Sequence, residues 1–143
     1  MTSLQPLHEL HKANLRLKYP NLPEAAIASG KYKDSTANGL TKCVVAFITL
    51  SGGYATRVST TGRMINKGTE TRDKLVYIPG TTKRGTADIH AIWHGKHLSI
   101  EVKIGKDKQS LAQIETERIV NDAGGYYFIA KNFETFYNWI TKL

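Results

Sequence analysis

The sequence predicts an α/β fold: a mixed central β-sheet flanked by helices, with an N-terminal helical extension. Three observations predict it. The elements read in the order helix, strands, hairpin, helix, strand, helix. The segment "TADIHAIWHGKHLSIEVK" at 86–103 carries two strand-length apolar stretches around a tight turn. The run "YYFIA" at 126–130 is unbroken in its apolar character and sits between two amphipathic segments, as a strand covered on both faces would.

Taken in order, "LQPLHELHKANLRLK" at 4–18 reads as an amphipathic helix with Leu7, Leu10 and Leu17 on one side. "YPNLPEAAIASGKYKDS" holds two prolines and a glycine, so it reads as a linker with one helical turn. "TANGLTKCVVAFITLSGG" predicts a second helix, with Asn38 capping its start and Gly52 and Gly53 ending it. "YATRVST" and "GRMIN" predict a β-hairpin, "KGTETRDK" a mobile loop, and "LVYIPG" a further strand. After 86–103, Ser110 is placed to cap a helix that Gly124 or Gly125 ends. Its buried face is predicted at Ala112, Thr116, Ile119, Val120 and Ala123. The last helix begins near Asn132, with Phe133, Phe136, Tyr137 and Ile140 on one face. No repeat or low-complexity segment interrupts the order.

Composition narrows the function classes. A chain of 143 residues fits one compact domain. No apolar run approaches the roughly 18 residues of a membrane span, so no membrane partner is expected. The opening "MTSLQPLHELHK" has no basic region followed by an apolar run, so no secretory signal is expected. Cys43, the only cysteine, cannot form an internal disulfide and is expected to be a buried thiol. A cytoplasmic setting follows from these expectations. The net charge is +8, and residues 31–108 carry all of it, with 14 Lys or Arg against 6 Asp or Glu. A surplus concentrated in this way points to a polyanion, of which nucleic acid is the commonest. Solubility alone is the competing explanation for the charge.

The hairpin at 86–103 holds Asp88, Glu101 and Lys103, and charges in half-buried strands are costly unless paired. Side chains alternate along a strand, so Asp88, His90 and Ile92 share one face, and Ser99, Glu101 and Lys103 share another. Whether the two sets meet depends on the loop. A three-residue loop pairs Trp93 with His97 and separates Asp88 from Glu101. A two-residue loop at His94-Gly95 sets Asp88 across from Glu101, and one at Gly95-Lys96 sets Asp88 across from Lys103. Two-residue loops are the commonest, which favours convergence. Adjacent carboxylates repel unless a cation lies between them, and Mg²⁺ takes such oxygens together with water and phosphate. Lys103 beside that ion would position the attacking water. A plain salt bridge is the competing explanation, because an acid-x-Lys triplet arises about once by chance in a chain this long.

At these residues the sequence resembles the PD-(D/E)XK nuclease superfamily, and within it the small VRR-NUC type of phages and mobile elements. The resemblance runs from "GTTKRGTADI" through "GKHLSIEVKIGKDKQSLAQ" to "AGGYYFIAKNFETFYNWI" and covers about residues 36–143. It implies a restriction endonuclease-like core at 36–143, with residues 1–35 as a helical extension and linker serving dimerisation or partner docking. It implies that Asp88 and Glu101 bind metal, with the backbone carbonyl of Val102 as a further ligand and Lys103 as the catalytic lysine. Gln113 matches a helix glutamine that faces the active site, although Ser110-x-x-Gln113 is also a capping box. Lys83 and Arg84 are placed for phosphate contacts and Lys106 is a further nucleic-acid contact, while Arg57 and Arg63 either grip the backbone or are solvated edge charges. Many members carry a glutamate on the first core helix where this chain offers Asn38, which leaves one or two metal ions open.

The expected function is a Mg²⁺-dependent DNA endonuclease, with Mn²⁺ able to substitute and no small-molecule cofactor. Recognition of branched DNA by a homodimer is expected, because small stand-alone members resemble Holliday junction resolvases and two-fold symmetry suits a four-way junction. The setting would be the cytoplasm of a bacterium or a phage-infected host. A DNA-binding module with an unused site is the alternative from another class, and the intact Asp88, Glu101 and Lys103 argue against it. A restriction-type nuclease would need a recognition domain for which 143 residues leave no room. RNA cleavage finds no RNA-binding motif in support. Zinc is not expected at the histidines. His8 and His11 pair on one helix, and His90, His94 and His97 cluster on the hairpin without a cysteine to complete a site.

Overall fold

The computed structural model describes residues 3–59, 61–80 and 82–143. Met1, Thr2, Thr60 and Thr81 fall in the expected extension, the expected first hairpin and the loop before Asp88, and lie outside the described residues. Helix α1 spans Gln5–Lys18, a 3-10 turn covers Glu24–Ala26, and helix α2 spans Ala37–Leu50. Strands β1 (Tyr54–Arg57), β2 (Arg63–Asn66), β3 (Leu75–Ile78), β4 (Ile89–Trp93) and β5 (Lys96–Val102) follow. Helix α3 (Leu111–Asp122), strand β6 (Tyr126–Ala130) and helix α4 (Phe133–Ile140) complete the chain.

The central sheet has the order β1-β4-β5-β6, antiparallel across its first two pairs and parallel between β5 and β6. Helix α3 is the crossover that a parallel pair requires. The expected mixed sheet flanked by helices is therefore present. One face of the sheet presents Ile89, Ala91 and Trp93 of β4 with Leu98, Ile100 and Val102 of β5. Against it pack Leu40, Cys43, Val44, Phe47 and Ile48 of α2, Phe133, Phe136 and Ile140 of α4, and Leu7 of α1. Full burial of each large apolar side chain stabilises the fold by about 1.5–3 kcal/mol. The thiol of Cys43 is buried in this core, and burial raises its pKa. Asp34 of the linker accepts the first α4 amide, Phe133 N, at 3.1 Å and ties the two segments together.

Both long α/β junctions use the same stop. After α2, Gly52 (φ +87°) donates to Thr49 O and Gly53 donates to Ile48 O. After α3, Gly124 (φ +86°) donates to Asn121 O and Gly125 donates to Val120 O. Glycine accepts the left-handed conformation that lets these two bonds close the helix.

Several expectations are corrected. Strands β1 and β2 do not pair with each other: β1 lies beside β4 and β2 beside β3, in a separate two-stranded sheet. Beside β4, strand β1 gains a neighbour whose alternate residues are fully buried, which Arg63 and Met64 of β2 could not offer. The stretch 67–74 is a bridged turn rather than a loose loop. Lys67 N donates to Lys74 O at 2.8 Å, and Asn66 Oδ1 accepts from Gly68 N and Lys74 N at 2.9 and 3.0 Å. Thr36, not Asn38, caps α2 by accepting from Gly39 N at 3.1 Å. Leu17 is 83% exposed because α1 outruns its support, where Asn14 already reaches the last α2 carbonyl at Leu50. Helix α3 buries no residue fully, and Ile119 and Ala123 are exposed. It covers mainly the β6 edge of its face, so its turns beyond Thr116 have little sheet beneath them.

Candidate active site

The geometry of the site starts at the β4–β5 turn. His94 and Gly95 have φ +47° and +78°, the pair of left-handed residues that a two-residue hairpin loop needs. Trp93 therefore pairs with Lys96 and Ile89 with Ile100, and the same register sets Asp88 directly across from Glu101. This is the second of the three loops that the sequence allows. Val58 N donates to Asp88 O at 2.8 Å and extends the β1–β4 ladder to this residue. Asp88 Oδ2 in turn accepts from Val102 N at 2.9 Å. The amide and carbonyl of one strand residue point to the same side, so the Val102 carbonyl faces the flank on which Asp88 lies. The next amide, Lys103 N, goes the other way to Ala130 O on β6.

Glu101 is the centre of the cluster and is 2% exposed. Its Oε1 accepts from Gln113 Nε2 at 2.5 Å and lies 3.1 Å from Lys103 Nζ. Its Oε2 is buried with no partner among the described residues. Burial raises the Glu101 pKa, the negative charge of Asp88 raises it further, and Lys103 opposes both. Lys103 is itself almost buried and reaches Asp107 Oδ2 at 3.6 Å as well as Glu101. Gln113 makes two sets of bonds at once. Its Oε1 accepts from Ser110 N at 2.9 Å and its backbone N donates to Ser110 Oγ, closing a capping box at the start of α3. The same side chain holds Glu101 through its amide nitrogen.

The donor set suits a hard cation. Asp88, the free Oε2 of Glu101 and the Val102 carbonyl are all oxygens, and two carboxylates with waters and substrate oxygens are what Mg²⁺ takes. Among the described residues no three His, Cys, Asp or Glu side chains come together. A buried carboxylate oxygen without a hydrogen bond is costly, and a cation would relieve it.

The same sheet face continues away from Glu101 as a polar row. His90 lies across from Ser99, and Ser99 lies beside Tyr127. His90 Nε2, Ser99 Oγ and Tyr127 OH are buried without partners among the described residues. Burial and then the proximity of His97 lower the His90 pKa, and His97 Nε2 stands 3.2 Å from His90 Nδ1. Burial and then Glu101 push the Tyr127 phenol up to about 12. Sequence parity placed His90 with Asp88 and Ser99 with Glu101, but Tyr127 was read only as a strand residue. The partner of Lys103 at Asp107 was also missed, although its spacing of four residues was visible.

The outlying basic residues divide. Lys83 and Arg84 are exposed in a loop that lines a hollow of about 220 Å³ together with Ser110 and Gln113. Gly85 in that loop (φ +86°) approaches Ala112 O so closely that a Cβ would lie 2.3 Å from it. The loop is thereby pressed against the start of α3, beside the residue that holds Glu101. Lys106 is exposed in the turn after β5. Arg63 lies on the separate β2–β3 sheet. Arg57 does not join the carboxylates: it pairs with Ile89 and so belongs to the helical face, where it donates to Asn38 Oδ1 at 2.7 Å. Asn38 thus anchors an arginine. Among the described residues no helix is long and apolar enough to cross a membrane. Compared with models of known protein families and with curated protein sequences, the chain matches none.

Proposed function

We propose that the chain is a Mg²⁺-dependent DNA endonuclease of the PD-(D/E)XK superfamily, of the small VRR-NUC type, with a restriction endonuclease-like core. The observation that carries this reading is the buried Glu101, set across from Asp88, held by Lys103 and Gln113, with Oε2 left without a partner. Few buried carboxylate oxygens are left bare in native folds, and a cation at Oε2 would satisfy this one. The clustered positive charge of residues 31–108 supports a nucleic acid as substrate.

In this reading Asp88, Glu101 and the Val102 carbonyl hold the ion. Bound Mg²⁺ would lower the pKa of a water and offset the charge growing on the phosphate. The chain's own groups then divide the remaining work. Lys103 orients the attacking water and keeps its positive charge beside the reacting phosphate. Gln113 fixes the Glu101 rotamer, and the Val102 amide fixes that of Asp88. Lys83 and Arg84 hold the strand by its phosphates. The enclosed position of Glu101 keeps bulk water from competing for its oxygens.

Branched DNA cut by a homodimer is the substrate form that this reading favours, because two-fold symmetry would place two active sites on two strands of a four-way junction. The test is cleavage of labelled four-way junction, flap, single-stranded and duplex DNA with Mg²⁺ or EDTA, alongside sedimentation of the free protein. The expected result is Mg²⁺-dependent cutting, strongest on the junction, that Asp88→Asn abolishes. Cutting that persists in Asp88→Asn would remove the site assignment. Junction binding without cutting by the wild type would favour a binding module.

A further inference from the structure

We propose that a second hollow, lined in part by Lys103, is a phosphate subsite of the bound strand, built from Lys108 and Lys131. The proposal rests on the nuclease reading and deepens it. The hollow measures about 340 Å³ and is lined by Lys103, Lys108 and Lys131, with Asp107, Ile114 and Ile129 among its walls. Three lysines line this space with one carboxylate, and Lys103 is already paired with that carboxylate at 3.6 Å and with Glu101 at 3.1 Å, which leaves Lys108 and Lys131. Among the described residues no carboxylate lies within ion-pair distance of Lys108 or Lys131. Neighbouring cations without a counter-ion repel, and an anion entering between them removes that repulsion. Ile114, which is 50% exposed, and Ile129 supply an apolar wall. A phosphate joined to a sugar matches both parts of this lining, with the phosphate on the lysines and the sugar carbons on the isoleucines.

The position of the hollow gives the strand a path. Gln113 lines the hollow of Lys83 and Arg84 and donates to Glu101 Oε1. Lys103 lines the hollow of Lys108 and Lys131 and reaches the same oxygen. Each cationic hollow therefore adjoins the carboxylate cluster through a residue that contacts Glu101. A strand seated in both presents a phosphate to Asp88, Glu101 and Lys103. Lys108 lies in the turn before α3 and Lys131 directly after β6, so the subsite draws on two segments that are far apart in sequence. Both lysines are exposed and can be changed without disturbing the core.

The test is equilibrium binding of a fluorescein-labelled four-way DNA junction in EDTA across a salt series. It compares the wild type with the double variant Lys108→Gln/Lys131→Gln and with Lys108→Arg/Lys131→Arg. The glutamine pair is expected to weaken binding about tenfold and to lower the salt slope by about 2, while the arginine pair keeps both. Unchanged melting of the glutamine pair would show that the fold is intact. If the wild type binds and the glutamine pair binds equally with the same slope, the subsite is refuted and the nuclease reading stands. If the wild type binds but never cuts with Mg²⁺, the nuclease reading fails while the binding comparison still decides the subsite. If the wild type does not bind the junction at all, both are overturned.

Discussion

The two faces of the central sheet are built from alternate residues of the same strands, yet they do opposite work. Along β5, Ile100 and Val102 turn towards the helices while Ser99 and Glu101 turn the other way, with Lys103 just beyond the strand end. The first face is sealed by α1, α2 and α4 and is apolar through its core, with Arg57 on Asn38 at its β1 edge. The second is crossed by α3 alone and carries Asp88, His90, Ser99, Glu101, Lys103 and Tyr127. One strand thus couples a face that supplies stability to a face that stores unsatisfied polarity. The buried orphan atoms are destabilising on their own, and the apolar face must outweigh them.

Substitutions on the two faces should therefore separate activity from stability. Lys103→Ala is expected to lower the cleavage rate by about 10²–10⁴-fold in a single-turnover assay and to cost less stability than a core truncation, because the Glu101 carboxyl it leaves unpaired can take up a proton. Ile100→Ala, one turn of the pleat away, should do the reverse. It removes a fully buried side chain and should destabilise the fold by about 2–5 kcal/mol in urea titration, while the folded fraction cuts normally. If Lys103→Ala melts the protein as Ile100→Ala does, the polar face is structural and the division between faces is wrong.

How much of this was legible in the sequence follows from the range of each interaction. The Asp88–Glu101 pairing was readable because it depends on strand parity and on one turn, both local. The Schellman stops at Gly52-Gly53 and Gly124-Gly125, and the Ser110–Gln113 box, were readable for the same reason. The pairing of β1 with β4 was not, because it joins Tyr54 to Ile92 across the whole β2–β3 excursion. Adjacency in sequence pointed to a hairpin, and burial decided otherwise. Arg57 shows the cost of that miss: once its partner is Ile89, its face is fixed, and that face is the helical one. The thin cover given by α3 was equally hidden, since an apolar periodicity states which side is buried but not how deeply.

Gln113 bridges the comparison, because one side chain caps a helix and holds the buried carboxylate. Gln113→Ala should lose both, with about 1 kcal/mol from the cap and about 10–100-fold in Mg²⁺ affinity or rate. Gln113→Glu can still accept at Ser110 N but sets a carboxylate against Glu101 Oε1. Stability at the cap should then survive while activity falls, which separates the two roles in paired melting and cleavage measurements.

The raised pKa of Glu101 gives the polar face a pH signature. Its folded form holds the proton more tightly than the unfolded chain, whose reference value is 4.5. Stability from this group is thus fully present below the unfolded value and is lost as pH rises through the folded one. Mg²⁺ needs the ionised form, so metal affinity should move the other way and increase with pH across the same window. Melting curves with and without Mg²⁺ should diverge as pH rises, and the divergence should vanish in Asp88→Asn. Equal curves at every pH would mean that no cation relieves Glu101.

The smallest effect should come from the turn that brings the two carboxylates together. His94 sits at φ +47°, where most side chains are strained, while Asn tolerates the left-handed region and Asn-Gly is the preferred pair for this loop. The imidazole also contacts the edge of Trp93, with ring centroids 4.5 Å apart, and an asparagine would give up that contact. Aromatic pairs contribute about 0.5–1.5 kcal/mol, which is similar to the conformational gain. His94→Asn should therefore shift stability by no more than about 1 kcal/mol and leave the cleavage rate unchanged. Because the loop length is kept, Asp88 must stay across from Glu101. A large loss of activity in this variant would mean that the imidazole itself, rather than the turn, serves the polar face.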